Sequence, residues 1–301
     1  MNHIPVLLKE VLESLDLKKG KFVIDGTVNG GGHAREIIKE IMPGGKFLGV
    51  DWDKEILENT KREFDRKRKE ERGKNKVIFV NDNYANLPEI LKNNKLSKAD
   101  AVLLDLGFSS LHIDKSKRGF SFQKDELLDM RYNTDSGTPA YEIINSCSEK
   151  DLADIFYKYG DERFSRRIAK NIVEARRKKA ITTTGQLTGI INSSVPGFYR
   201  RARISPATKV FQALRIFVNG ELDNLETFLS NLPKILKNKG RVLIISFHSL
   251  EDGIVKRAFR EIAKKGEGKI ITKKPIPPTR EEVIANPKSR SSKLRVLEII
   301  N

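Results

Sequence analysis

The chain of 301 residues has a single cysteine, Cys147, which excludes an intramolecular disulfide and a thiolate cluster for zinc. It also lacks any unbroken apolar run near the roughly 18 residues a membrane-spanning helix needs. Met1-Asn2-His3-Ile4-Pro5 has neither the basic start nor the apolar core of a secretory signal, so a cytoplasmic protein is expected. Histidine is sparse: His3, His33, His112 and His248 form no metal-ligand pattern and no Ser-His-Asp triad, and no catalytic metal is expected. Negative charge is short as well. Asp and Glu number 40 against 57 Lys and Arg, for a net charge of +17. At 38% hydrophobic and 32% charged residues the composition is nevertheless that of a globular protein.

The charge excess points to a polyanionic partner, most simply nucleic acid. A surface of the hyperthermophile kind would raise both signs together; here one sign leads.

There are no internal repeats. The first third alternates between short apolar runs and amphipathic stretches. A helix is predicted over Val6 to Leu15, followed by strands at Phe22-Val23-Ile24, Phe47-Leu48-Gly49-Val50, Val77-Ile78-Phe79-Val80 and Ala101-Val102-Leu103-Leu104. Helices are predicted between them, over Ala34 to Met42, Lys54 to Glu71 and Leu87 to Lys92. Unbroken apolar strands alternating with helices indicate a doubly wound α/β sheet covered on both faces. Roughly residues 112 to 210 break that rhythm, with helical patterns over Glu149 to Tyr159, Glu162 to Lys179 and Thr184 to Asn192. It returns with a long helix predicted near Pro206 to Leu236, a strand at Val242-Leu243-Ile244-Ile245, a helix near Leu250 to Lys264 and a strand over Leu294 to Ile300. The expected organisation is a Rossmann-like domain of residues 1–111 and 211–301 with a helical domain, 112–210, inserted. Thr272 to Arg290, holding four prolines, is expected as a loop or mobile flap.

Asp25-Gly26-Thr27-Val28-Asn29-Gly30-Gly31-Gly32-His33 ends a strand and opens a helix, where glycines let the backbone approach a ligand. Asp51 ends the next strand, 26 residues after Asp25, in the place where an acid accepts hydrogen bonds from ribose hydroxyls. The pyrophosphate fingerprint G-x-G-x-x-G is absent, since Arg35 stands at its last glycine. That favours S-adenosylmethionine over a dinucleotide. Asn81-Asp82-Asn83-Tyr84 and Leu104-Asp105-Leu106-Gly107-Phe108-Ser109-Ser110 end two further strands at the same sheet edge, where α/β ligands bind. Tyr84 offers a ring for an adenine. Asp105 or the Leu106 carbonyl can hold the hydrogens of an exocyclic amine and help localise its lone pair, with Phe108 stacking on the base; a helix-cap role for Asp105 is the simpler alternative. His248, in Ser246-Phe247-His248-Ser249-Leu250-Glu251-Asp252, is either a base or a positioning group.

Arg163, Arg166, Arg167, Lys170, Arg176, Arg177, Lys178 and Lys179 fall in one predicted helix, and Arg200, Arg201 and Arg203 follow Phe198 and Tyr199. Such clusters bind phosphates without reading sequence. Lys61 to Lys76 mixes both signs and reads as a solvated helix face.

Together these residues resemble the bacterial small-subunit ribosomal RNA cytosine-N4 methyltransferase family (RsmH, formerly MraW). The resemblance runs from His3-Ile4-Pro5-Val6-Leu7-Leu8 to Ser291-Ser292-Lys293-Leu294-Arg295 and includes the glycine loop and Leu103-Leu104-Asp105-Leu106-Gly107. Between these lie Arg118-Gly119-Phe120-Ser121-Phe122, Leu128-Asp129-Met130-Arg131, Tyr159-Gly160-Asp161-Glu162-Arg163-Phe164 and Phe211-Gln212-Ala213-Leu214-Arg215. It implies a class I S-adenosylmethionine-dependent methyltransferase fold with an inserted RNA-recognition domain. It further implies methyl transfer to N4 of a decoding-region cytidine of small-subunit (16S) ribosomal RNA, within the assembled or nearly assembled 30S subunit. Cofactor contacts carried over by position are Gly31, Gly32, His33, Asp51, Tyr84, Asp105 and His112, beside Asp25 from the strand-end reading. Arg118 and Phe120 become candidate RNA contacts, the alternative for Phe120 and Phe122 being that they pack the domain junction. His112 stands where Gln is expected in some members, and Gly253 where Arg is expected. Rival readings are a DNA amino-methyltransferase, a non-catalytic RNA-binding assembly factor and an NAD-dependent oxidoreductase. Nothing in the sequence fixes the oligomeric state, a homodimer included.

Overall fold

A computed structural model describes residues 5–68, 76–107, 116–201 and 204–300. The chain divides into two compact units, Met1–Ser109 with Leu222–Asn301, and Ser110–Glu221.

The first unit is built on a seven-stranded sheet of order β3-β2-β1-β4-β5-β7-β6. Its strands are β1 (Phe22–Asp25), β2 (Lys46–Asp51), β3 (Lys76–Asn81), β4 (Ala99–Asp105), β5 (Leu236–Ser246), β6 (Gly268–Ile270) and β7 (Lys293–Ile299). β1 to β5 pair in parallel, and β7 runs antiparallel to both β5 and β6. This is the class I methyltransferase sheet, with the order reversing beside β1 and β4.

Alternation along each strand sorts the apolar side chains onto two faces. Ile24, Leu48, Val102, Leu104 and Ile244 pack with the helices Leu87–Asn93, Glu221–Ser230 and Ser249–Lys264. Val23, Phe47, Ala101, Leu103, Leu243 and Val296 pack on the opposite side with Leu8–Leu15 and Gly32–Ile41. With both faces covered, the central strands need no polar alternation, which is why they read as unbroken apolar runs.

Four expectations change. The long helix over Pro206 to Leu236 is three helices, Pro206–Asn219, Glu221–Ser230 and Leu232–Ile235. Gly220 ends the first in a left-handed conformation (φ 56°), a backbone state suited to glycine. Pro206–Asn219 buries Val210, Phe211 and Leu214 in the core of the second unit, so that unit ends at Glu221 and not at residue 210. The segment Thr272 to Arg290 is tied down: Ile276 bridges Leu294, Arg280–Ala285 is helical, and Glu282 Oε1 accepts the Leu7 N–H at 2.7 Å. The predicted helix from Glu162 begins only at Ser165, because the Glu162 carboxylate accepts the Phe164 N–H at 2.8 Å and holds the preceding turn open.

The second unit is helical, with Ala140–Ser146, Glu149–Gly160, Ser165–Lys178, Thr184–Ser194, Gly197–Arg200 and Pro206–Asn219. Its core comprises Leu152, Phe156, Ile168, Ile172, Leu187, Ile191 and Leu214 with their neighbours. Thr183 and Gln186 cap the Thr184–Ser194 helix reciprocally. No helix among the described residues is long and apolar enough to cross a membrane.

Candidate active site

The candidate site occupies the carboxyl ends of β1, β2 and β4 in the first unit. Asp25 pairs in register with Gly49 and Leu103. Asp51 and Asp105 each lie two residues further along their own strand, so all three carboxylates leave the sheet on the same face. All three side chains are buried.

The glycine-rich turn is shaped to meet them. Thr27 N–H donates to Asp25 Oδ1 at 3.1 Å, and the Thr27 hydroxyl accepts the Asp105 N–H at 2.6 Å. Asn29, in a left-handed conformation (φ 48°), turns its N–H onto Asp51 Oδ2 at 2.7 Å. Asn and Gly are the residues that accept such a backbone most readily. Asp53 N–H donates to Asp51 Oδ1 at 2.9 Å, and the Thr60 hydroxyl donates to the Asn29 carbonyl at 2.7 Å. Gly31 is also left-handed (φ 70°), and a Cβ there would fall 2.8 Å from Thr60 Cγ2 and 2.9 Å from Phe64 Cε2. Gly32 faces the ring of Pro5. Thr27, Asn29 and Thr60 are site residues that the sequence does not single out; the signal available is the Asp-Gly-Thr-x-Asn order, with Asn at the point where the chain turns left-handed.

His33 is buried in the first turn of the following helix. Its Nε2 donates to the Val6 carbonyl at 2.9 Å, and its Nδ1 lies 3.9 Å from Asp105 Oδ2. Asp105 Oδ1 accepts the Gly107 N–H at 3.2 Å.

Electrostatically the three acids are strained. Burial pushes Asp25 up to about 8, with Asp105 and Asp51 adding repulsion. Burial likewise raises Asp51 to about 7 against its backbone hydrogen bonds, with Asp53 adding to the rise. Asp105 rises to about 7, again chiefly by burial and further by the Glu251 charge. Among the described residues no lysine or arginine forms an ion pair with any of them.

This donor set suits a cationic nucleoside and is hostile to a phosphate. Each carboxylate oxygen has two lone pairs, so Asp51 retains acceptor capacity for ribose hydroxyls beyond its backbone bonds. The Gly31 N–H, which a pyrophosphate would need, is spent on the Val28 carbonyl at 2.8 Å. Arg35 donates to the Gly30 carbonyl and pairs with Glu63 at 3.2 Å. The residues therefore fit S-adenosylmethionine, whose ammonium and sulfonium would relieve the repulsion among the three acids.

Tyr84 opens a short 3-10 turn after β3, beside Asn83, whose side chain caps that turn. Its ring stands edge-on to Phe228 with centroids 5.8 Å apart. His248 caps the Ser249–Lys264 helix: its Nδ1 accepts the Glu251 N–H at 3.4 Å, and the Glu251 carboxylate accepts the Phe247 N–H at 2.8 Å. His248 Nε2 approaches Glu251 Oε1 to 3.0 Å but out of line for a hydrogen bond. This arrangement supplies a positioning role for His248. Phe108, His112 and Arg203 lie outside the described residues.

In the second unit, Arg163, Arg166, Arg167, Lys170, Arg200 and Arg201 are exposed. Arg118 and Phe120 are engaged internally. The Arg118 guanidinium donates to the Arg131 and Tyr132 carbonyls, both at 3.0 Å. Phe120 is buried and stacked on Tyr132, with centroids 5.4 Å apart and 15° between planes. Its ring is committed to the unit's own core and has no free face for a base, because the loop over residues 116–139 must bury something where it has no helix of its own.

The model of the MraW methylase family matches residues 1–300. A ribosomal RNA small subunit methyltransferase H from Syntrophus aciditrophicus is 44% identical, the match covering 99% of this chain and 98% of that protein. The protein of the same name from Dictyoglomus thermophilum is 45% identical over 98% of this chain and 96% of its own length. A third, from Desulfosudis oleivorans, is 42% identical over 98% of each. With the family pattern and these relatives aligned from end to end, and the glycine turn and strand-end acids in place, the chain belongs to the MraW methylase family.

Proposed function

We propose that this chain transfers a methyl group from S-adenosylmethionine to the exocyclic N4 of a cytidine in the decoding region of small-subunit ribosomal RNA. The coarser activity, a methyltransferase acting on small-subunit ribosomal RNA, follows from the family and from the name its relatives carry. The observation that carries the reading is the trio of buried, mutually repelling carboxylates at the ends of β1, β2 and β4.

When bound, S-adenosylmethionine supplies an electrophilic methyl on a sulfonium. Asp51 accepts from its ribose, and Asp25 and Asp105 offset its positive charge. The amine lone pair of a cytosine is delocalised into the ring. An acceptor at Asp105 would draw on the amine hydrogens, localise that lone pair and receive a proton as the methyl passes from sulfur to nitrogen, the cofactor leaving as a neutral thioether. Positioning then supplies much of the rate. The Gly107 N–H orients the Asp105 carboxylate, and His33, held by the Val6 carbonyl, stands beside it. The exposed guanidinium groups of the second unit hold RNA phosphates.

Family membership weighs against a DNA amino-methyltransferase, a non-catalytic scaffold and an oxidoreductase. The experiment offers labelled S-adenosylmethionine with small subunits from a strain lacking this gene, with free ribosomal RNA and with duplex DNA. Recovery of N4-methylcytidine from the subunits, and little from free RNA, is the expected result and identifies the assembled particle as substrate. Label in another nucleoside overturns the N4 assignment, and label only in DNA overturns the RNA reading.

A further inference from the structure

On the second unit, the short helix Gly197–Arg200 points two adjacent aromatic rings in opposite directions. Tyr199 is buried, and its hydroxyl donates to Glu162 Oε2 at 3.0 Å. Glu162 is itself fully buried, so this bond fixes the helix against the turn that follows Glu149–Gly160. Phe198 is 66% exposed. Between the two elements lies the Arg163 guanidinium, 4.3 Å from the Tyr199 ring centre, 5.0 Å from Phe164 and 5.9 Å from Phe198. Phe164 and Tyr199 pack edge to face at 4.8 Å. A guanidinium held against three rings is a cation in a preset position, with less freedom to lose on binding than a lysine on a flexible stem.

We infer that Phe198 and Arg163 form a platform for an unpaired RNA base, with Phe198 stacking on the base and Arg163, Arg200 and Arg201 holding the flanking phosphates. Charge selects the partner. These three arginines and the exposed Arg166 and Arg167 form no ion pair among the described residues, whereas Arg35, Arg131, Arg215, Arg241 and Arg295 each have a carboxylate. Unpaired guanidinium groups around an exposed ring match a polyanion whose bases present apolar faces, and single-stranded RNA is recognised through such stacking. A paired helix hides its base faces and would meet the phosphate contacts only. The platform rests on the reading of this chain as a ribosomal RNA methyltransferase and specifies what its second unit grips: an unstacked nucleotide.

The test measures binding of the full chain to a fluorescent oligouridylate and to a blunt RNA duplex, across a range of salt. Phe198→Leu, which keeps an apolar side chain but removes the ring, should weaken oligouridylate binding by about tenfold, the scale of one base stack. Its salt slope and its duplex affinity should stay as in the parent, and Phe198→Tyr should bind as the parent does. Arg163→Gln should reduce the single-strand salt slope by about 0.7, the value of one phosphate. Calorimetry with S-adenosylmethionine should give the same affinity for all three variants. The inference is overturned if the parent chain fails to bind oligouridylate, if Phe198→Leu binds as the parent does, or if it loses both probes equally. It is also overturned if Phe198→Leu changes sedimentation with RNA affinity intact, which would make the ring a protein contact. Methylation is read separately. A chain that binds through Phe198 yet methylates no ribosomal RNA would leave the platform standing and the enzymatic reading refuted.

Discussion

The imidazole of His33 bridges the Val6 carbonyl and the Asp105 carboxylate, with Nε2 2.9 Å from the first and Nδ1 3.9 Å from the second. A carbonyl only accepts, so Nε2 carries a proton, and at 3.9 Å the contact with Asp105 is electrostatic and not a hydrogen bond. Asp105 is raised to about 7 by burial and the Glu251 charge, so it exchanges its own proton around neutral pH.

Asp105→Asn preserves shape and removes the acceptor charge. Methyl transfer should fall by about 10²–10⁴-fold, the range for a proton-transfer group, while S-adenosylmethionine affinity measured by calorimetry falls much less. Activity within a few-fold of the parent would remove Asp105 from the chemistry.

The three raised carboxyls give a pH dependence with a definite sign. A bound cation favours their ionised forms, so S-adenosylmethionine binding near neutral pH should release protons, and affinity should rise as pH climbs through about 8, the midpoint of Asp25 ionisation, and level off above it. Calorimetry in buffers of different ionisation enthalpy reads the protons directly; uptake, or no exchange, would contradict the charge assignment. For the unliganded chain, folded-state values above the ordinary 3.8 mean that these groups favour the folded state fully only below that pH. Their contribution is lost as pH rises through about 7 to 8.

Gly31→Ala places a Cβ on a left-handed residue and against Thr60 and Phe64. The backbone alone costs about 1–2 kcal/mol, and the clash displaces the turn that carries Asn29. A lowered Tm together with weakened cofactor binding is expected; an unchanged Tm would show that the turn relaxes freely.

His248→Asn distinguishes a cap from a base. Asn is among the best helix caps, and losing a cap costs about 1 kcal/mol. If His248 serves the Ser249–Lys264 helix, the Asn variant should keep the parent's kcat and pH profile while His248→Ala loses thermal stability. A kcat collapse in both variants, with folding intact, would make His248 a proton carrier.

Arg166 and Arg167 open the Ser165–Lys178 helix, and both are exposed. Replacing both with Ala should weaken RNA binding and shrink the salt slope by roughly 0.7 for each phosphate of single-stranded RNA that is no longer neutralised. Lys170, already 3.9 Å from Glu174, should matter less when replaced. An unchanged slope for the double variant would move the phosphate-binding face elsewhere.

Much of the site is legible in the sequence because its parts are local. Asp25, Asp51 and Asp105 each end an apolar run, and a strand end is visible wherever such a run meets a polar residue and a turn. The glycine loop and the excess of arginine in the Ser165–Lys178 helix are local too. What the sequence hides depends on distant partners. Phe120 beside Arg118 reads equally as an RNA contact or as packing, and only the stack on Tyr132 decides between them. Residues 272–290 read as loose, yet Glu282 reaches back to Leu7, 275 positions away. The single helix expected from Pro206 to Leu236 ends at Gly220, whose left-handed turn a periodicity count passes over.

The sequence alone thus determined the six longer strands and the amphipathic helices between the first four, where the acids and glycines stand along them, and the sign of the surface charge, because each follows from neighbours within a turn or two. Tertiary structure decided the strand order 3-2-1-4-5-7-6, the convergence of three carboxylates on one face, the anchoring of His33 by Val6, and which aromatics are buried and which, like Phe198, face outward. Those outcomes depend on register and on packing between residues tens to hundreds of positions apart, where the free energy of a contact is set by what else is buried beside it and not by the residues that adjoin it in the chain.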